Sequence, residues 1–184
     1  MKARGPGQSL LLMLDIADVL EAEEVPYAVI GATAASIHGA IRATTDADVL
    51  LSASLPRLGR LEKALRKSGL GTELRRGDAD DPIRALLAIT DRHRNRVDLL
   101  GGLRGLDPDA FNRCVVVPFA GQKIRVIGRE DFIAMKCFAG GPQDVDDARH
   151  AVQMGHEPLD LDLLRGLTRR FGRGAADVLE QVLT

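Results

Sequence analysis

Between Gly31 and Leu51 the chain reads GATAASIHGAIRATTDADVLL, and two aspartates one residue apart interrupt what is otherwise a strand-like apolar run. Successive side chains of a strand alternate faces, so Asp46 and Asp48 project to one side while Ala47, Val49 and Leu51 take the other. Two carboxylates this close raise each other's pKa unless a cation neutralises them, and a hard divalent ion such as Mg²⁺ prefers carboxylate oxygen. A third acid, Asp98, sits in RVDLLGG between Val97 and Leu99, again with apolar neighbours turned the other way. If the two strands are adjacent, three carboxylates converge, a set that can hold two metal ions about 3.5–4 Å apart for phosphoryl transfer. Taken alone, Asp-x-Asp fits an exposed strand end equally well.

Upstream of the pair, Gly31-Ala32 ends a strand and opens a helix, where backbone N–H groups favour anions such as a nucleotide's phosphates and glycine lets the phosphate approach. Arg42 precedes the acidic strand and fits two roles, a bidentate phosphate contact or a structural arginine at a helix end. Lys136, between Met135 and Cys137 on an apolar helix, reads by itself as a snorkelling surface lysine. Asp144 follows Pro142, where helix-start and ligand-contact roles are both open, whereas Asp147 is read as a salt-bridge partner. His38 is read as a packing and hydrogen-bonding residue rather than a base. The four histidines (His38, His93, His150, His156) and two cysteines (Cys114, Cys137) have no zinc spacing. The Arg92–Arg96 run RHRNR reads as a polar hairpin turn, with a local patch for RNA phosphates as the alternative.

These residues need elements to hold them. Apolar positions at helical spacing (Leu10, Leu14, Ala17, Leu20) predict a helix over 8–23, closed by Pro26. YAVIG is then a short buried strand, AASIHGA a helix, and TTDADVLLS the second strand. Leu55 to Ser68 is a surface helix ended by Gly69 and Gly71, and TELRR returns as a strand. RALLAITDRHRNRVDLLGG and CVVVPFAGQKIRVIG read as two β-hairpins, the latter turning near Gly121. From Arg129 onward the pattern is helical to Thr184, interrupted at Gly140-Gly141-Pro142 and again over 155–158. Strands first and helices last predict an α+β fold. One domain is expected over 1–184, with a sheet-containing core over about 25–128 and C-terminal helices over 129–184.

Composition narrows the function classes. At 184 residues, 45% hydrophobic and 28% charged, the chain is an ordinary globular one. A formal net charge of −1, from 25 basic and 26 acidic residues, provides no global field for nucleic acid, so such contact must be local. One Tyr and no Trp argue against a base-stacking platform. Isolated cysteines point to a reducing, cytoplasmic setting. Asp15 and Asp18 break the N-terminal apolar run, so it is read as a helix rather than a signal peptide, and no run approaches a membrane span.

The quoted Gly31–Leu51 stretch resembles the signature of the minimal nucleotidyltransferases of the DNA polymerase beta superfamily: a Gly-Gly or Gly-Ser turn, then Asp-x-Asp, then a third Asp on a later strand. More narrowly, His38-Gly39, Arg42-x-Thr44 and Asp46-x-Asp48 resemble the AbiEii-like group, in which toxins of toxin–antitoxin and phage-defence systems are found. REDFIAMKCFAGGPQDVDDARH extends the resemblance, with a lysine helix followed by Gln-Asp-x-x-Asp, so that it covers roughly residues 25 to 150. It implies a small mixed sheet of the polymerase beta type with flanking helices and a C-terminal helical segment. Asp46, Asp48 and Asp98 would be metal ligands for Mg²⁺ or Mn²⁺, with Asp98 also helping to deprotonate the acceptor hydroxyl. Gly31, Ala32, Arg42, Lys136 and Asp144 would bind nucleotide, Lys136 also acting in catalysis by steadying the leaving pyrophosphate.

The implied reaction moves a nucleoside monophosphate from an NTP to a hydroxyl on RNA, such as a tRNA 3′ end, or on protein. A cognate antitoxin is an implied partner. Ala32 stands where the motif has Gly or Ser, so the alternative from another class is a weak or inactive nucleotidyltransferase-like module that binds nucleotide or a partner. A phosphatase using the same metal site is a third reading.

Overall fold

The structure is a computed structural model that describes residues 1–40, 42–155 and 157–184; His156 therefore lies outside the described residues. The fold is α+β, with a seven-stranded mixed sheet and seven α-helices among the described residues. In chain order the elements are α1 (Ser9–Ala22), β1 (Tyr27–Val29), α2 (Gly31–Ile37), β2 (Asp46–Leu51), α3 (Leu55–Lys67) and β3 (Gly71–Arg76). There follow the hairpin β4 (Ile83–Thr90) and β5 (Arg96–Leu103), the hairpin β6 (Val115–Phe119) and β7 (Gln122–Val126), and the helices α4 (Arg129–Ala139), α5 (Pro142–Met154), α6 (Leu161–Arg170) and α7 (Arg173–Leu183). The spatial strand order is β3-β4-β5-β2-β1-β7-β6.

The pairing that matters for chemistry is β2 beside β5. They run parallel, with Ala47 opposite Val97, Asp48 opposite Asp98 and Val49 opposite Leu99. Because the side-chain period is two, this register sends the acids to one face and Ala47, Val49, Val97 and Leu99, all buried, to the other. There α1 and α3 cover the sheet, with Leu12, Leu20, Leu58, Leu61 and Leu65 in the same apolar cluster. Burial of such side chains contributes roughly 1.5–3 kcal/mol each. Leu58 packs so close to β5 that a Cβ added at Gly101 would come within 2.8 Å of its Cδ1. The cluster continues through Phe132, Ile133, Ala148 and Leu164 to Val182 in the C-terminal helices.

The expected elements are present with adjusted ends. Helix α2 stops at Ile37 rather than continuing through Ala40, because Gly39 takes φ +109 and packs against Met154, where a Cβ would lie 2.5 Å from the Met154 Cβ. Gly69 (φ +84) follows α3 as expected, whereas Gly71 is already the first residue of β3. Ala120 and Gly121 both have positive φ, the two-residue turn that suits a tight hairpin. The 91–95 segment is a polar hairpin turn closed by the Asp91 carboxylate, which accepts from the amides of His93 and Asn95 and from the Asn95 side chain. Among the described residues the C-terminal helical stretch has a further break at Phe171-Gly172, beyond the one at 140–141 and the one that separates α5 from α6.

Candidate nucleotide and metal site

Strand β2 delivers Asp46 and Asp48 to the open face, and β5 delivers Asp98 alongside. Asp48 lies between the other two acids, two residues along β2 from Asp46 and opposite Asp98. Burial, then the neighbouring charge of Asp46, then that of Asp98 push its carboxyl from 3.8 up to about 6, against the opposing pull of Lys136 and Arg96. Burial is the largest part of that rise, and the two neighbouring carboxylates add to it. Thr44 supports the pair from the preceding loop, donating from Oγ1 to Asp46 Oδ1 at 2.8 Å.

Gly31 has a different task from the one its motif position suggests. Its φ is +63, and an added Cβ would fall inside contact distance of Asp48 Oδ2, so the missing side chain makes room for the carboxylate itself. The backbone is joined here too, since the Ile30 amide donates to the Asp48 carbonyl at 2.9 Å. The α2 turn is thereby locked against the acidic strand.

Asp98 does not stand free. Arg96, two residues earlier on the same face of β5, donates from Nε to Oδ1 at 2.9 Å and from Nη2 to Oδ2 at 3.0 Å. This bidentate fork answers the third carboxylate with protein charge. Among the described residues no group of three or more His, Cys, Asp or Glu side chains is gathered as a metal site. The donor chemistry nevertheless fits a hard divalent ion. Asp46 and Asp48 share a face, and Asp98 lies opposite Asp48 in the register of the two strands.

Opposite the acids, α4 and α5 bring in the cations. The chain reverses at Gly140 (φ +66) and restarts at Pro142, which sets the first turn of α5 against the last turn of α4. Lys136 Nζ lies 2.7 Å from Asp144 Oδ1 and 2.8 Å from Asp147 Oδ2, and 5.7 Å above the Phe132 ring. Arg42 Nη1 reaches the same Asp147 Oδ2 at 2.7 Å. His38 is buried, bonds through Nε2 to the Ile127 carbonyl at 2.8 Å and packs on Phe132; burial lowers its pKa, in keeping with a packing role.

A cavity of about 560 Å³ joins these groups, with Gly31, Ala32, Arg42, Asp46, Asp48, Lys136 and Asp144 on its wall. Seven of the eight residues expected from sequence thus share one cavity. Asp98 lines an adjoining cavity of about 470 Å³ that meets the first at Asp48 and is floored by Leu86 and Leu100. A roomier cavity, about 880 Å³, lies at the other end of β5 around Gly101–Gly105 and holds none of the expected residues. Its Asp78 and Asp81 accept bonds from loop amides, so the acidic strands, not volume, locate the chemistry. Sequence reading assigned no role in this site to three residues: Arg96, which clamps Asp98, Thr44, which supports Asp46, and Gln143 on the cavity wall. Arg96 was legible in principle, since i and i+2 on a strand share a face.

No family model matches the chain, and no curated protein matches it. Solved structures do. The crystal structure of ANT(2")-Ia in complex with adenylyl-2"-tobramycin aligns with TM-score 0.58 at 15% identity, over 87% of this chain and 94% of that one. An antigenic nucleotidyltransferase-like protein from Paracoccidioides brasiliensis aligns with TM-score 0.56 at 14% identity, over 98% and 95%. The lincomycin-bound lincosamide antibiotic adenylyltransferase LnuA aligns with TM-score 0.51 at 14% identity, over 83% and 100%. The chain has the fold of these nucleotidyltransferase structures. No helix among the described residues is long and apolar enough to cross a membrane.

Proposed function

We propose that this protein is a metal-dependent nucleotidyltransferase that moves NMP from an NTP to an acceptor hydroxyl. The observation that carries the reading is that Asp46 and Asp48 share one cavity with Arg42 and Lys136, with Asp98 in register beside Asp48. Carboxylates facing cations across one cavity suit a substrate with a polyphosphate at one end and metal-binding oxygens at the other. The likeness of fold to nucleotidyltransferases agrees with it.

Asp46, Asp48 and Asp98 would hold Mg²⁺ or Mn²⁺. When bound, the metal lowers the pKa of the acceptor hydroxyl and offsets charge on the departing oxygen. The protein's own groups do the rest. Gly31 and Ala32 seat the triphosphate with Arg42 and Lys136, and Asp144 stands beside Lys136. The acceptor oxygen forms a bond to the α-phosphorus, the bond to the β-phosphate oxygen breaks, and pyrophosphate leaves toward Lys136. The acceptor proton passes to Asp98. All of this belongs to one domain over 1–184.

The acceptor hydroxyl is assigned to RNA, such as a tRNA 3′ end, or to protein. The resemblance to the AbiEii-like group supports that assignment, along with a cytoplasmic toxin–antitoxin or phage-defence setting and a cognate antitoxin. A second reading is favoured by the comparisons: two of the similar structures are described with an adenylylated drug or as a drug adenylyltransferase, so a small hydroxylated acceptor is the competitor. The remaining alternative, a nucleotide-binding module of weak or no activity, draws on Ala32 and on the Arg96 clamp. The test is transfer from each of the four α-³²P NTPs, with Mg²⁺, into a mixture of cellular RNA, protein and small metabolites, with Asp48→Ala as control. Label in an RNA or protein band with the unmutated chain alone is expected. Label confined to the small-molecule fraction moves the acceptor to the second reading, and no label in any fraction rejects the enzyme.

A further inference from the structure

Arg42 and Lys136 stand 94 positions apart in the chain and on different elements, yet both end on one oxygen, Oδ2 of Asp147. The Asp147 side chain is only 3% exposed, against 31% for Arg42 and 14% for Lys136. Three residues earlier on the same face of α5, Asp144 also pairs with Lys136, but its side chain is 29% exposed and lies on the cavity wall. The two carboxylates on one lysine therefore differ in kind. One is buried behind the cations, and the other stands in front of them, facing the cavity.

We infer that Asp147 is a positioning residue that holds Arg42 and Lys136 as a fixed pair for polyphosphate, and that Asp144 is the displaceable counter-ion whose place a phosphate takes. The inference rests on the nucleotidyltransferase reading and deepens it. A buried carboxylate between two cations has no cheap alternative, since removing one partner leaves the others uncompensated. Asp147 therefore stays put and orients both heads. Arg42 is steadied a second time, its amide donating to the Ser36 hydroxyl oxygen at 3.3 Å, while that hydroxyl donates to the Ala32 carbonyl at 3.0 Å. Among the described residues Asp144 pairs with Lys136 alone. An incoming phosphate oxygen offers Lys136 the same geometry with more charge, so exchange of Asp144 for phosphate conserves the ion pair and releases the carboxylate to water.

The two carboxylates then have opposite effects on polyphosphate affinity, which plain electrostatics does not produce. Removing any negative charge near an anion site should tighten binding; only a positioning role makes removal of Asp147 weaken it. The experiment is a calorimetric titration of the full chain and its variants with inorganic tripolyphosphate in Mg²⁺, a probe independent of base and acceptor. Asp147→Asn is expected to weaken binding about tenfold or more, the scale of a lost charged hydrogen bond, and Asp144→Asn to tighten it a few-fold. Asp147→Glu, which keeps the charge but shifts the oxygen, is expected to weaken binding as well, and it serves if Asp147→Asn unfolds. Tightening by both Asn variants, or no change with either Asp147 variant, overturns the inference while leaving the nucleotide reading intact. Failure of the unmutated chain to bind tripolyphosphate or any NTP overturns that reading and the inference together.

Discussion

Asp48→Asn should stabilise the metal-free protein while abolishing its proposed chemistry. The carboxyl of Asp48 rises from 3.8 to about 6 on folding, chiefly through burial and then through Asp46 and Asp98. That rise is about two units, and at about 1.4 kcal/mol per unit the ionised form costs the folded state up to about 3 kcal/mol at neutral pH. Asp48 retains some solvent contact, so a gain of roughly 1.5–3 kcal/mol is expected for the isosteric neutral side chain. Because the folded pKa lies above the unfolded one, the group's stabilising contribution is fully present below pH 3.8 and is lost as pH rises to about 6. The advantage of Asn over Asp should accordingly be near zero at pH 3.5, grow through that window and level off above it. Denaturant unfolding in EDTA at pH 3.5, 5 and 7.5 reads this directly. At about 2–4 °C per kcal/mol, a thermal scan at pH 7.5 should show a rise of several degrees. Added Mg²⁺ should reverse the order by stabilising the unmutated chain alone. A variant equal to or less stable than the unmutated chain at pH 7.5 without metal would refute the reasoning.

Gly31→Ala should cost about 1–3 kcal/mol, because it places a side chain at positive φ and into Asp48; part of that cost should return in the Asp48→Ala background, measured as a double-mutant cycle in urea. Arg96→Ala should free Asp98 and tighten Mn²⁺ binding a few-fold, followed by the loss of free Mn²⁺ signal in electron paramagnetic resonance; weaker binding would mean that the fork assists the metal rather than competing with it. Asn95→Ala should lose about 1–3 kcal/mol without changing tripolyphosphate affinity, since Asn95 is 1% exposed and bonds only to Asp91, Gly5 and Gln8, a reading checked by urea midpoint and calorimetry together.

The fold was legible where local rules suffice. The alternation of DADVLL and RVDLL placed the acids on one face before any pairing was known, and the apolar halves of both strands required a helical cover that α1 and α3 provide. Turn chemistry likewise marked Gly69, Gly121 and Gly140. What escaped depends on distance in the chain. Nothing local announces that Arg42 meets Asp147 across 105 positions, or that β1 lies between β2 and β7. The helix end at Ile37 was hidden because Gly39 is constrained by Met154, more than a hundred residues away. Gly31 was singled out from its turn, but its crowding by Asp48 became visible only in three dimensions. Arg96 was the opposite case, a local pairing overlooked because the basic run RHRNR drew it into the turn.

The fate of each phosphorus tests the central claim most directly. Incubation of the protein with its acceptor mixture, Mg²⁺ and an NTP labelled in parallel at the α or the γ position should leave α label on the acceptor and γ label in pyrophosphate alone, in equal amounts. Loss of both signals in Asp48→Ala would tie them to the site. Label from the γ position on an acceptor, or γ label released as free phosphate with no α transfer, would contradict the account.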